Sequence, residues 1–345
     1  MSTKQAGPLP LPEEALEDFF EQALAAASKA ELSTRRAKLG AITLDLHIGS
    51  GFQEKNWTAP LAISSTENEA EVSLYVWEES RRSTGFPPPP WGNRYVYSHR
   101  GDIQGYNHPE IQVAFSQHSR VLSLYHRTRR LGIFWTPSLA SLPGYEWAAP
   151  MRWLINWIGL EKGFQLTHAG AVGLQGRGLL LAGKGGSGKS TTSLACWSAG
   201  WDFVSDDYCW LSSHDHVEAH AVYKTAKLIP DQPVDLPDWD RVARLSDEKS
   251  VFQLDELTGG RLTNVLRIEA LLLPAIRQVD RPRLREASPR DALAALSLST
   301  LAQLPGTGAE SMSILKKAVE TLPAYHLDLC HPVSAVPSVL KELLS

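Results

Sequence analysis

Cysteine is scarce in this chain: only Cys196, Cys209 and Cys330 occur among 345 residues. No Cys-x-x-Cys pair exists, so neither a disulfide framework nor a cysteine-built zinc site is expected. Each cysteine is expected as a small buried apolar side chain. No run of about 18 apolar residues is present, which excludes a helical membrane span. A basic surplus is also missing. The net charge is −4, and a nucleic-acid partner is therefore not expected. The one basic run, Arg127-Thr-Arg-Arg130, is short enough to be a solvated strand edge. The N-terminus begins polar and then reads "PLPLPEEALEDFFEQ", too acidic and too broken for a signal peptide. A cytoplasmic protein with no membrane partner is the expectation.

What is present describes an ordinary globular protein, with 43% hydrophobic and 21% charged residues and a length sufficient for two domains. Residues 12–32 carry Pro12 and two glutamates in a first turn, followed by Leu16, Phe19, Phe20, Leu24 and Ala27 on one stripe. That spacing predicts an amphipathic packing helix. From about 40 to 137, short runs such as "AITLDLHIG", "AEVSLYVWE", "NRYVYSH", "IQVAFSQ", "VLSLYHR" and "LGIFWTP" alternate with turn-forming clusters. This texture predicts an antiparallel β-rich domain. "GFPPPPWGN" at 85–93 must be a stiff loop, because prolines cannot join a sheet ladder. Residues 145–162 read as a helix after Pro150, with Trp153 and Trp157 packed in the core.

The second half mixes strand and helix patterns. The expected fold class is α+β: a β-rich N-terminal domain over 1–145 and a nucleotide-binding domain over 146–345.

Gly183-Lys-Gly-Gly-Ser-Gly188-Lys189-Ser190 matches G-x-x-x-x-G-K-[ST] at every fixed position. Chance produces that match roughly once per hundred chains of this length. The apolar run Leu179 to Ala182 before it and the helical pattern "KSTTSLACWSAG" after it supply the strand–loop–helix setting the motif needs. Glycines allow successive N–H groups to converge on phosphate oxygens at a helix N-terminus. Gly183, Gly185, Gly186, Ser187, Gly188, Lys189, Ser190 and Thr191 are thus the expected nucleotide contacts. Lys189 would reach the β and γ phosphates, and Ser190 would ligate Mg²⁺. Asp206 and Asp207 follow the run "FVS" and could serve as metal partner and hydroxyl base, provided the strand breaks so that both face one side. His168 opens the strand expected beside the loop-bearing one, within reach of the aspartates. Lys224 and Lys227 in "YKTAKL" are expected at the surface, although contact with nucleotide or acceptor phosphate is the alternative. Glu269 is a further, weaker metal candidate.

From His168 through Asp207 the order of features resembles the HPr serine kinase/phosphorylase group and its shorter relatives. The carriers are His168, "GAVGLQGRG", "LLLA", "GKGGSGKS", "TTSLACWSAG" and Ser205-Asp206-Asp207. The resemblance implies a P-loop kinase domain related to phosphoenolpyruvate carboxykinase, using ATP and Mg²⁺. It implies Asp206 as base for an acceptor serine, Asp207 as Mg²⁺ partner beside Ser190, His168 as support for Asp206, and Lys189 on the phosphates. It is also compatible with a homo-oligomer. "NVLRIEALLLP" at 264–274 lacks the group's glycine-rich downstream motif, so phosphorolysis is not implied. The nearer likeness is to shorter relatives, some of which phosphorylate the C-terminal serine of lasso-peptide precursors. A peptide or small-protein acceptor is therefore expected, with the N-terminal domain as its recognition surface. The readings left open beside this one are a regulatory P-loop ATPase, a nucleotide-binding module without turnover, and a kinase of a small-molecule hydroxyl.

Overall fold

The structure, a computed structural model, describes residues 13–80, 83–91, 97–104, 106, 108–228, 241–244, 250–254, 261–330 and 333–344. The chain divides into two compact units. One comprises Met1–Trp57, Ser64–Leu142 and Leu304–Gly306, and the other Thr58–Ile63, Pro143–Gln303 and Thr307–Ser345. With several sheets and interleaved helices, the architecture is α+β.

In the first unit, α1 (Glu13–Ala27) begins with Glu13 and Glu14 at the positive end of the helix dipole and buries Leu16, Phe19, Phe20 and Ala23 along one face. It stops well short of residue 32. Past Ala27 the apolar stripe ends, and the Ser28 hydroxyl turns back to donate to the Ala25 carbonyl at 2.8 Å. The chain then enters β1 (Leu32–Leu39), a strand the sequence pattern did not reveal because its exposed positions are polar or basic. β2 (Ile42–Gly49), α2 (Ser50–Glu54), β3 (Ile63–Ser64), β4 (Val72–Glu78), β5 (Ile111–Phe115), β6 (Leu122–His126) and β7 (Leu131–Thr136) follow. The seven strands lie in the order β3-β1-β2-β4-β7-β6-β5.

The expectation of an antiparallel domain is corrected here. β2 pairs with β4, and β4 with β7, in parallel. The long connection from β4 carries the chain to the far edge, and two hairpins bring β7 back beside β4 in the same direction. The proline-rich loop stays out of the sheet over its described residues. The expected strand at 93–99 lies largely outside the described residues, and Tyr97 makes only an isolated bridge to Ile103. Arg127–Arg130 forms the tight turn between β6 and β7 rather than a strand edge.

In the second unit the helix expected after Pro150 is α4 (Arg152–Leu160), and a short additional helix, α3 (Gly144–Ala148), precedes it, the two separated by Pro150 and by Met151 at φ 54°. Trp153 and Trp157 are buried. The strands and helices continue as β8 (Gln165–Thr167), β9 (Ala169–Leu174), β10 (Arg177–Ala182), α5 (Lys189–Ser198), β11 (Asp202–Ser205), β12 (Cys209–Ser213) and β13 (Val217–Ala221). Then come β14 (Thr225–Leu228), β15 (Arg241–Arg244), β16 (Ser250–Gln253), β17 (Arg261–Leu262), β18 (Val265–Ile276) and β19 (Arg283–Glu286). The last elements are α6 (Pro289–Leu301), α7 (Ala309–Thr321), β20 (Ala324–Leu329) and α8 (Val336–Lys341).

The main sheet runs β17-β11-β9-β10-β18-β13-β12-β8, with β20 joined to β18 and β19 to β20. Its central strands alternate between two cores, as pleated strands buried on both faces do, with β18 changing register between Ile268 and Ala270. Leu180 and Ala182 of β10, with Leu271 and Leu273 of β18, face the core closed by Ala292 and Leu296 of α6 and Leu315 of α7. Leu179, Leu181, Ala270 and Leu272 face the core closed by Leu194 of α5 and Val336 and Leu340 of α8. All three cysteines are buried, as expected. Among the described residues no helix is long and apolar enough to cross a membrane.

Candidate functional site

The loop 183–188 joins β10 to α5. Its backbone takes left-handed or related values at Gly183 (φ 152°), Gly186 (φ 77°) and Gly188 (φ 106°), where side chains are disfavoured. At Gly188 a Cβ would also run into the Leu329 side chain. The loop therefore holds its shape through backbone geometry that few other residues tolerate, and it ends at the first turn of α5. Lys189 is buried, and its Nζ donates to the Gly183 carbonyl at 2.8 Å, bridging the two ends of the loop. Gly170 on β9 lets α5 approach closely, since a Cβ there would lie 2.6 Å from Ser193 Oγ. The Ser187 hydroxyl is buried with no hydrogen-bond partner. A buried donor left unmatched inside a loop of this kind fits an anionic ligand seated on it.

β11 ends at Ser205, and this break is what places the two aspartates. The Ser205 hydroxyl donates to the Tyr208 carbonyl at 2.8 Å and accepts from the Asp207 N–H at 3.0 Å, closing a tight bend. Asp206 and Asp207 consequently do not alternate across a strand. Asp206 is buried and accepts hydrogen bonds from the Lys227 N–H at 3.0 Å and from the Ser190 hydroxyl. Burial, and then the neighbouring Asp207 charge, push its carboxyl up to about 6. Asp207 is held by the Lys227 ammonium and lies 3.0 Å from His168 Nε2. Burial opposes its charge, but Lys227 and His168 outweigh that and hold the carboxyl well below the ordinary range. The two adjacent carboxylates therefore have opposite needs. Asp207 already has a cation, whereas Asp206 carries a buried charge that an added cation would stabilise.

His168 is the single residue between β8 and β9, which part to different neighbours: β8 pairs with β12, while β9 pairs with β10 and β11. The strand that His168 is expected to open is β9, which begins at the next residue, and a separate short strand, β8, precedes the histidine. Burial lowers the imidazole pKa despite Asp207, so the ring is held neutral. Its backbone N–H donates to Thr300 Oγ1 at 3.1 Å, and its Nδ1 lies 2.9 Å from Gln303 Nε2, the first partner in the last turn of α6 and the second two residues past it. The support that the family resemblance implies for Asp206 is thus directed at Asp207.

Lys227 corrects another expectation. It is not a surface lysine: its side chain, only 14% exposed, reaches Asp207 from β14 and lies 5.8 Å from the centroid of the Tyr208 ring. Lys224 makes no such contact among the interactions described, and Glu269 pairs with Arg177 at 3.4 Å and Arg267 at 3.8 Å instead. Tyr208, Thr300 and Gln303 are the members that sequence reasoning missed. Only Tyr208 had a local signal, its position directly after the aspartate pair.

A cavity of about 400 Å³ opens beside the loop, lined by Lys184 and Gly185 on one side and by Ala294, Leu298, Ala302 and Gln303 on the other. Leu298 is 71% exposed there.

The oxygen donors suit Mg²⁺. A serine hydroxyl and a carboxylate needing a cation sit together, and bound phosphates and water would complete the shell. Among the described residues, no group of three or more His, Cys, Asp or Glu forms an all-protein metal cage. A nucleotide-borne Mg²⁺ does not require one.

No protein-family model matches the chain, and no curated protein matches it. Among solved structures, the chain is similar to the Hpr(Ser) kinase/phosphatase from Coxiella burnetii. The identity is 14%, the match covers 52% of this chain and 95% of that one, and the TM-score is 0.29. A superposition that loose carries no argument, and the functional reading rests on the geometry above.

Proposed function

We propose that the protein is an ATP- and Mg²⁺-dependent kinase that transfers the γ-phosphoryl group to a hydroxyl, with a serine of a peptide or small protein as acceptor. One observation carries this reading. A glycine loop ending in Lys189 and Ser190 stands against a broken strand end where two carboxylates, one cation-poor and one paired, sit side by side. A nucleotide-binding switch needs only the first; transfer to a hydroxyl uses both.

The backbone amides of 185–190 and the Lys189 ammonium would hold the phosphates, with Gly183, Gly185, Gly186, Ser187, Gly188 and Thr191 shaping the cradle. Ser190 and Asp206 would hold Mg²⁺, which draws charge from the phosphate oxygens when bound. Asp207 would accept the hydrogen bond of the acceptor hydroxyl and later its proton. This exchanges the two aspartate roles implied by the family resemblance. The reason is physical: Ser190 bonds Asp206, and His168 and Lys227 bond Asp207. A low carboxylate pKa is tolerable for this role, because phosphoryl transfer through a loose transition state asks the base mainly to orient the hydroxyl. The cavity against α6 gives the acceptor a route to the loop. Its apolar lining suits small aliphatic side chains flanking the serine. A lasso-peptide precursor is one acceptor of this kind.

The test is incubation of the full-length protein with ATP, Mg²⁺ and peptides ending in serine, read by mass spectrometry. Addition of one phosphate to serine, abolished in Asp207→Asn, is the expected result. ADP release without any labelled acceptor, unaltered by that substitution, would replace this reading with a nucleotide switch.

A further inference from the structure

Resting on the kinase reading, we propose that Gln303 and Tyr208 are positioning residues that lock His168 in the Nε2–H tautomer and thereby fix Asp207 toward the acceptor hydroxyl. The argument is one of hydrogen-bond direction. The Tyr208 hydroxyl meets Gln303 Oε1, and a carbonyl oxygen can only accept, so the phenol donates. That contact orients the amide, leaving the Gln303 NH₂ toward the imidazole 2.9 Å away. An NH₂ group can only donate here, so His168 Nδ1 must present its lone pair. The ring proton is then left on Nε2, which points at Asp207 Oδ1 at 3.0 Å. Each link dictates the next.

The chain is supported at both ends. Burial pushes the Tyr208 phenol up, which keeps it a donor at neutral pH. The Tyr208 ring also lies 5.2 Å from that of His168, at 32°, and so packs on the group it orients. Thr300, one turn before Gln303, clamps the backbone of His168, so the last turn of α6 and the residues just past it grip both main chain and ring. Gln303 also lines the cavity beside the loop, which joins the positioning chain to the expected route of the acceptor.

The experiment uses full-length protein with ¹⁵N-labelled histidine and reads the tautomer of His168 by NMR, assigned through His168→Asn. Wild type is expected to show the Nε2–H form. Gln303→Glu keeps the shape but replaces the donor with an acceptor, and is expected to put protons on both ring nitrogens, because carboxylates then face Nδ1 and Nε2 alike. Tyr208→Phe leaves the charges unchanged and is expected to yield a mixture of tautomers. In the transfer assay, kcat should fall by about 10–100-fold in Gln303→Glu, by analogy with the loss seen when the outer hydrogen-bond partner of a metal-ligating histidine is changed. KM for ATP should remain unchanged. An Nδ1–H tautomer in wild type, or a tautomer indifferent to both substitutions, would overturn the proposal. A tautomer that responds as expected in a protein that phosphorylates nothing would leave the positioning chain standing and sink the kinase reading instead.

Discussion

Both units are built on broad sheets, yet they bury different kinds of side chain. The first fills its interior with Phe20, Phe52, Trp57, Trp77, Trp91 and Phe134, and among its described residues no Asp, Glu, Lys or Arg is buried. The second buries Glu146, Lys189, Asp202, Asp206 and Asp328. Three of these have an arginine at hand: Arg152 for Glu146, Arg261 for Asp202, Arg285 for Asp328. Asp206 has no such arginine and is held by the Ser190 hydroxyl and a backbone N–H. Buried charge is costly, and a fold compensates it wherever the charge serves stability alone. Asp206 is thus the carboxylate in this group whose charge is met by a hydroxyl and a backbone N–H instead of an arginine, and it lies beside the glycine loop, where an added cation would stabilise it.

The most severe test of this contrast is Asp207→Asn. The variant leaves the Lys227 ammonium without its buried counter-charge and should be less stable than wild type; per folded molecule it should lose phosphoryl transfer by on the order of 10²–10⁴-fold, measured as peptide phosphorylation at saturating ATP. Retained transfer would remove Asp207 from the reaction. Next in size is Phe20→Ala in the first unit, which should cost about 3–5 kcal/mol of stability in urea unfolding. Turnover per folded molecule should not change; if it did, the division of labour between the units would be wrong.

Asp206→Asn should act in the opposite direction on stability. In the folded protein the carboxyl pKa is raised from 3.8 to about 6, so the fold favours the neutral acid. The penalty is absent below about pH 3.8, grows as pH rises, and is complete above about 6. Without ligand, the substitution should therefore stabilise the protein at pH 8 by roughly 3 kcal/mol and have almost no effect at pH 3.5. Mg²⁺ with a non-hydrolysable nucleotide should raise Tm more in wild type than in Asp206→Asn. Equal shifts would argue against a metal at Asp206. The smallest expected effect is Gly170→Ala, where the added methyl presses on Ser193. About 1–3 kcal/mol of destabilisation is expected, with KM for ATP rising as α5 is displaced from β9.

Much of the second unit was legible from local pattern. The strand–loop–helix around Gly183–Ser190 follows from an apolar run, glycines and a helix closed at Gly200, all of which act over a few residues. The end of β11 at Ser205 was foreseen only as a condition for both aspartates to face one side, and the Ser205 hydroxyl bonds meet that condition. The first unit was less legible. β1 is polar at most exposed positions, and strand direction depends on how long connections return, which a period-of-two pattern does not encode.

By itself, then, the sequence determined the composition of the loop, the aspartate pair and the helix that follows them, because glycine conformations, capping and apolar periodicity are properties of neighbouring residues. Which aspartate meets which partner was decided only by tertiary structure. His168 lies 39 residues before Asp207, Lys227 lies 20 after it, and Gln303 lies 135 from His168. No local rule links positions that far apart. They meet because β8 and β9 part at the histidine, the Lys227 N–H of β14 bonds Asp206 just past β11, and Thr300 and Gln303, in and just beyond the last turn of α6, bond His168.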